Sequence, residues 1–356
     1  MTNTIITGSG SFIPERTITN SDFLSQYFFS EDKLPIKQDQ QIIIKKFEAI
    51  TGIKERRYAK EEMKTSDLAA IAAERAIADS KTDKETIDLI IVAHNFGDIS
   101  HGQHYTDTVP ALASRVKYTL GIKNPACVAF DVLFGCPGWL MAVMQADAFF
   151  KAGMARRALI IGAETLSRVY DPFDRDSMIF SDGAGAVILE YKETAGGILA
   201  SNALSHCQEE VNYLNMTPGN HPTACSETLL LKMKGRKVYE YALKHVPAAM
   251  KACVDKSGVP VTEIKKIFIH QANEKMDEAI LEAFYKLYHL EAPENIMPMN
   301  IQDLGNSSVA TIPTLYDMVT HDYYQQHHLT NGDVVLFASV GAGMNINAVC
   351  YRYAAQ

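Results

Sequence analysis

Short runs rich in Val, Ile, Leu and Phe recur along the chain. They lie at Leu89 to His94, Cys127 to Phe134, Ala158 to Glu164, Gly185 to Tyr191, Ile264 to Gln271, Val334 to Gly341 and Met344 to Tyr353. Each has the length of a buried strand rather than of a helix. Longer stretches of helical period fill the gaps, such as Ser66 to Ser80, where Ser66 would cap the helix and the Ala and Ile positions form one face. The sequence therefore predicts an α/β architecture with parallel strands.

The pattern also echoes itself. Asp182 to Tyr191 (DGAGAVILEY) resembles Val340 to Tyr353 (VGAGMNINAVCYRY), and Ile87 to Gly97 (IDLIIVAHNFG) resembles Ile264 to Glu274 (IKKIFIHQANE). A length of 356 residues allows one large domain or two fused halves. Duplication of one α/β unit explains the echo, with halves at residues 1–191 and 192–356 that meet near Lys192 to Ile198. Glycine-bearing β-turns that resemble each other by chance are the other reading.

Composition narrows the function classes. Apolar residues at 47% and charged residues at 21% are ordinary for a globular chain. No run of about 18 uncharged apolar residues appears, and the N-terminus lacks a basic segment followed by a long apolar one. A cytoplasmic protein without a membrane span is expected. The net charge of -8 argues against nucleic acid as a partner. The six cysteines are scattered without paired spacing, which reads as reduced thiols. His101 with His104 and His327 with His328 lack metal-site context, so they read as solvated loop histidines and no metal is expected. Two stretches, Gln26 to Lys46 and His94 to Pro110, show little periodicity and read as loops that could rim a substrate site.

One cysteine stands apart. Phe134 to Met141 (FGCPGWLM) joins an apolar strand to an amphipathic helix. Pro137 suits the first helical position, where a missing N–H is no loss, and this puts Cys136 at the N-cap. Orphan backbone N–H groups and the positive end of the helix dipole favour an anion there, which lowers a thiol pKa and makes a nucleophilic thiolate. The same groups can hold an oxyanion on a bound acyl group. A buried, inert filler is the alternative for any free cysteine, and it is the reading kept for the other five.

A nucleophilic cysteine needs a base or cationic partner. His270 ends the apolar strand IFIH, at the carboxyl edge where open α/β sheets place their sites. Asn306, in DLGNSSVATIP, sits in a turn before a second apolar helix, and its amide donates a hydrogen bond without titrating. Taken singly, His270 also reads as a core histidine and Asn306 as a turn or capping residue.

Taken together the motifs form a family pattern. Thr51 to Ala59 (TGIKERRYA), Asp131 to Trp139 (DVLFGCPGW), Tyr170 to Leu189, His270 to Met276 (HQANEKM), Gly305 to Pro313 and Val340 to Asn345 (VGAGMN) resemble, in order and spacing, segments of the thiolase superfamily. The resemblance is greatest to the β-ketoacyl-acyl carrier protein synthase III group and runs over nearly the whole chain. It implies a thiolase-like, five-layered αβαβα fold with internal duplication, and a homodimer. It implies that Cys136 is the acylated nucleophile and that His270 and Asn306 handle the second substrate. Backbone N–H groups of Cys136 and Ala342 would form the oxyanion hole, and Asn273 would support the His loop. The implied reaction is a ping-pong condensation of the acyl group with a malonyl-type thioester on acyl carrier protein, with no cofactor.

The chain also departs from the family. Where relatives hold the adenine end of coenzyme A with an aromatic and an arginine before TGI, this sequence has Lys46 and Ile50, which favours acyl carrier protein as the carrier. Such carriers are acidic, so a basic docking patch is expected at Lys232, Lys234, Arg236, Lys237 and Lys275, with Arg56 and Arg57 as further candidates. FGCPG replaces the usual ACAG, and Val109, Val340 and Met344 are assigned to a reshaped acyl pocket. Extra residues lengthen the loop Gly97 to Asp107. These changes suggest a specialised relative. Head-to-head condensation of a β-ketoacyl thioester with a second acyl thioester, with ring closure toward dialkylresorcinols, uses the same Cys, His and Asn set and is the alternative reading. A non-catalytic partner subunit would have lost the nucleophile. A hydrolase or acyltransferase that stops after the first half-reaction would need water at the acyl-cysteine.

Overall fold

The structure is a computed structural model that describes residues 1–354. In chain order the strands are β1 (Thr2–Phe12), β2 (Arg16–Thr19), β3 (Glu55–Tyr58), β4 (Leu89–Ala93), β5 (Val128–Val132), β6 (Arg157–Thr165) and β7 (Asp182–Glu193). They continue with β8 (Gly197–Ser205), β9 (Leu214–Pro218), β10 (Leu229–Met233), β11 (Ile264–Ile269), β12 (Val334–Gly341) and β13 (Asn345–Arg352). The α-helices are α1 (Gln40–Thr51), α2 (Thr65–Ser80), α3 (Leu112–Thr119), α4 (Gly138–Lys151), α5 (Gly235–Ser257), α6 (Glu274–Lys286), α7 (Ile301–Leu304) and α8 (Thr311–Thr320).

Two sheets form the frame, one of order β1-β7-β6-β4-β5 and one of order β11-β12-β13-β8. Helices α2 and α3 cover the outer face of the first sheet, α5 and α6 that of the second, and α4 and α8 lie between the two sheets. The layer order is αβαβα. Each interface has its own apolar core. The central one joins Trp139 and Leu140 of α4 and Leu315 and Tyr316 of α8 to Phe337 of β12. The outer two place Leu68 and Ala72 against Ile161, and Met250 and Phe284 against Leu336. Strand order also repeats, since β4-β6-β7-β1 in the first sheet has the same sequence of directions as β11-β12-β13-β8 in the second.

The expectation of parallel strands holds for only part of each sheet. β4 runs parallel to β5 and β6, and β11 to β12, but β7 is antiparallel to β6 and β1, and β13 to β12 and β8. β12 and β13 are joined by only Ala342 to Met344, whereas residues 166–181, with two short 3-10 helices and no α-helix to cross the sheet, lie between β6 and β7. A chain that turns back directly can only pair antiparallel.

Local boundaries shift too. Helix α2 is capped at Lys64, whose N–H donates to Asp67 at 2.8 Å, while Ser66 lies inside the first turn and donates its hydroxyl to Asp98 at 2.6 Å. Asp98 sits on a distant loop, so this use of Ser66 cannot be seen locally. The stretch Gln26 to Lys46 is not wholly irregular, because α1 begins at Gln40, with Asp39 accepting from the Gln41 N–H at 2.8 Å. Strand β1 lies outside all seven apolar runs. Glycine interrupts its apolar pattern because α2 packs directly on it, and a Cβ at Gly10 would lie 2.4 Å from the Ala76 nitrogen. His327 is buried beside Tyr324 rather than solvated, and burial holds its ring down at about 4.

Candidate active site

Cys136 lies between β5 and α4. The helix starts one residue later than the proline rule gives: Pro137 is the cap, with φ -69° and ψ -1°, and Cys136 precedes it. Its backbone is pressed against the end of β12. A Cβ at Gly341 would lie 2.5 Å from the Cys136 nitrogen, and one at Gly135 would lie 2.7 Å from the Ala342 nitrogen. Glycine at both places lets the backbones of Cys136 and Ala342 share one wall.

The thiol does not have the lowered pKa expected of a helix start. Burial pushes it up to about 11, although the Ser308 hydroxyl, 3.3 Å from Sγ, pulls the other way. The resting sulfur therefore carries its proton, and attack requires that proton to leave as charge builds elsewhere.

His270 is the first residue after β11, its N–H donating to the Ala338 carbonyl at 2.8 Å. The ring is buried, and burial holds it down at about 4 against the weaker opposing pull of the Ser308 backbone. It is a neutral imidazole at physiological pH, and Nδ1 has no hydrogen-bond partner. Asn306 is clamped by backbone on both sides: its N–H donates to Ile179 and its carbonyl accepts from Ser181. Its Oδ1 accepts from the Ser308 N–H at 2.8 Å, which leaves the Nδ2 hydrogens free of that turn. Asn273 caps α6 through Oδ1, which accepts from Met276 at 3.0 Å, and so fixes the turn that follows His270.

These groups meet in one place. Cys136, His270, Asn306, Ser308 and Ala342 line a narrow cavity of about 60 Å³. It shares Met233, Val238, Ala272 and Met276 with an outer chamber of about 530 Å³, whose walls include Lys46, Phe47 and Ile50 of α1. The two spaces thus adjoin across these four residues, the inner one at the sulfur and the outer one against α1.

The other assigned residues divide. Val340 lines the inner cavity. Val109 does not: it is 85% exposed on the loop before α3. Met344 is fully buried in the core between the second sheet and α5, so neither residue shapes the cavity. Of the basic residues, Lys232 is withdrawn from docking because it is buried and paired with Asp171 and Asp174. Arg56 is also unavailable, being buried against Phe23 and donating to Met178, Ile18 and Asn20. Arg57 is half-buried and paired with Glu55. Lys234, Arg236, Lys237 and Lys275 are exposed, Arg236 being paired with Glu240 at 2.8 Å.

Comparison with known proteins gives this site its context. Residues 130–206 match the family model described as 3-Oxoacyl-[acyl-carrier-protein (ACP)] synthase III, and residues 254–353 match its C-terminal counterpart. The β-ketoacyl-[acyl-carrier-protein] synthase III of Erythrobacter litoralis is 33% identical over 358 residues, covering 99% of this chain and 100% of that protein. The chain belongs to the synthase III family. The synthase III of Neisseria gonorrhoeae is 34% identical, with 98% of each chain covered. The crystal structure of 3-oxoacyl-[acyl-carrier-protein] synthase III from Aquifex aeolicus superposes with a TM-score of 0.77 at 30% identity, covering 99% of this chain and 100% of that one. This member of the family is an acyltransferase of the ketosynthase type.

Sequence reasoning missed four residues around this synthase site. Arg175 lines the outer chamber. Ser308 touches the nucleophile, Asn95 touches Ser308, and Glu164 holds Asn95. Arg175 and Ser308 lie inside the quoted motifs and Asn95 inside a loop flagged as a substrate rim. Only the fold brings Ser308 to the sulfur, Asn95 to Ser308 and Arg175 to the outer chamber.

Proposed function

We propose that this synthase condenses an acyl group, held as a thioester on Cys136, with a malonyl-type thioester on acyl carrier protein to give a β-ketoacyl product. The observation that carries the reading is the meeting of Cys136, His270 and Asn306, from three separate chain segments, in one cavity that adjoins the outer chamber. Sγ attacks the acyl thioester carbonyl, and the oxyanion is held by the N–H groups of Cys136 and Ala342. The bond to the carrier sulfur then breaks, and the proton that left Sγ ends on the departing thiol. The malonyl thioester enters next. Loss of CO2 leaves an electron pair that spreads onto the thioester oxygen, where His270 and Asn306 donate hydrogen bonds. The carbanion attacks the acyl carbonyl and Cys136 leaves as a thiolate. A histidine held at about 4 suits this step, because a neutral donor stabilises the enolate without quenching it as an imidazolium acid would.

An acidic carrier is met by Lys234, Lys237 and Lys275, exposed near residues Gly235 and Asn273 of the chamber wall. Lys46 and Ile50 stand on that wall at the two positions before TGI where relatives hold adenine, which supports the carrier protein over coenzyme A, while Phe47 and Arg175 of the same wall are the groups left to meet a nucleotide. A homodimer is supported by β5, an edge strand that exposes Val128 at 54% and is followed by Leu133 at 64%.

The test is mass spectrometry with carrier-bound acyl, malonyl and β-ketoacyl donors. Acyl mass on Cys136, followed by a decarboxylated β-ketoacyl product, is expected. Acyl mass on another cysteine overturns the mechanism, and a head-to-head product overturns the choice of second substrate.

A further inference from the structure

A chain of polar groups that passes through Ser308, two residues beyond Asn306, ends on Sγ. Glu164 of β6 is fully buried. Its Oε1 accepts from the Asn95 N–H at 2.5 Å and from Asn95 Nδ2 at 2.7 Å. Nδ2 also donates to Ser308 Oγ at 3.1 Å, and Ser308 Oγ donates to Cys136 Sγ at 3.3 Å. The Asn95 amide and Ser308 hydroxyl hydrogens are each assigned. One Nδ2 hydrogen goes to Glu164 and the other to Ser308, so the only hydrogen on the serine oxygen is left for the sulfur.

The serine is not there by default. Its backbone has φ 54°, a left-handed conformation that side chains rarely adopt, and the Ser308 N–H is held by Asn306 Oδ1. Strain of this kind persists where the surroundings fix it. A hydroxyl rotates freely unless a donor occupies its lone pair, and Asn95 is that donor.

We propose that Asn95 is a positioning residue for the nucleophile: braced by Glu164, it fixes the Ser308 hydroxyl as a donor to Cys136 and so governs how readily the sulfur gives up its proton. This rests on the reading of Cys136 as the acylated residue. The two ends of the chain act in opposite directions. The hydroxyl favours the thiolate, whereas the charge of Glu164 opposes it. Burial pushes Glu164 up to about 7, with His94 pulling it down and Asp182 pushing it up, so its charge changes in the working range.

The experiment is the pH dependence of iodoacetamide alkylation at Cys136 in the full chain, with the label located by mass spectrometry. Ser308→Ala and Asn95→Ala should each raise the midpoint by about one pH unit, the size of one hydrogen bond to the charged form. Glu164→Gln keeps an acceptor for Asn95 and removes the charge, so it should lower the midpoint by roughly half a unit. Shifts of opposite sign are not expected of side chains that merely support packing. An unchanged midpoint in Asn95→Ala, with Cys136 still labelled, overturns the proposal and leaves Cys136 as the nucleophile. Absence of label at Cys136 in the unmodified chain overturns both. If Asn95→Ala does not fold, Glu164→Gln decides, because a midpoint that fails to fall also overturns the chain.

Discussion

His94 and His270 stand at matching places in the two sheets. Each is the first residue after a strand, β4 or β11, that runs parallel to its neighbour β6 or β12. Their rings are used in opposite ways. His94 Nε2 lies 3.0 Å from Asp131, and its Nδ1 accepts from the Gly97 N–H at 3.0 Å. His270 has Nδ1 unpartnered and lines the cavity beside the sulfur. The central helices repeat the contrast, since Cys136 precedes α4 and Asn306 precedes α8. Duplication supplies the same positions twice, and the copy whose polar group is left unsatisfied is the one available for chemistry. A buried polar group without a partner is costly, and a substrate can supply the missing one.

The largest effect should come from Cys136→Ala, which removes both half-reactions by roughly a thousandfold or more, read as acyl mass and as product. His270→Ala should separate the steps. Acylation stays within about tenfold, while condensation falls by about 100- to 1,000-fold, the size seen when one donor to a developing oxyanion is lost. Equal losses in the two steps would erase the contrast between the sulfur and its partners. His94→Ala tests the other copy: folding free energy should drop by about 3 kcal/mol in chemical denaturation, with activity per folded molecule within about tenfold. A variant that stays fully stable but inactive would place His94 in the site and break the comparison.

Part of this contrast is legible in the sequence. The strand ending in IFIH and the elbow FGCPGW announce His270 and Cys136, because strand length and the proline rule act locally. What decides their chemistry is not local. The Ser308 and Cys136 side chains lie 172 positions apart in sequence, and those of Asn95 and Ser308 lie 213 apart. Burial of the thiol overrides the helix start, and only the closed cavity shows that. Lys232 looks like its exposed neighbours in LKMKGRK until Asp171 and Asp174 are found folded against it. Val340 and Met344 are four residues apart, but a turn between β12 and β13 sends one to the cavity and the other to the outer core.

Acid should distinguish the two histidine sites by a smaller margin. Burial holds His270 at about 4, against an ordinary histidine value of 6.5. Between those values the unfolded chain binds a proton that the folded chain refuses, so stability rises with pH across the window. The contribution is present in full above 6.5 and is lost as pH falls toward 4. At pH 5 the loss from this one group is about 2 kcal/mol relative to pH 8. In the first sheet the linked group is Asp131. Burial pushes its carboxyl up, but hydrogen bonds from His94 and from the Ala113 and Leu112 N–H groups outweigh that and hold it below 3.8. Its stabilisation is kept above that value and is lost only in stronger acid. Urea denaturation at pH 8 and pH 5 should therefore show the unmodified chain losing about 2 kcal/mol more than His270→Gln. Equal losses would mean that the folded ring takes up its proton near the ordinary value of 6.5. In that case a sizeable share of His270 would be an imidazolium acid beside the carbanion near neutral pH, and the division of labour between the two copies would not stand.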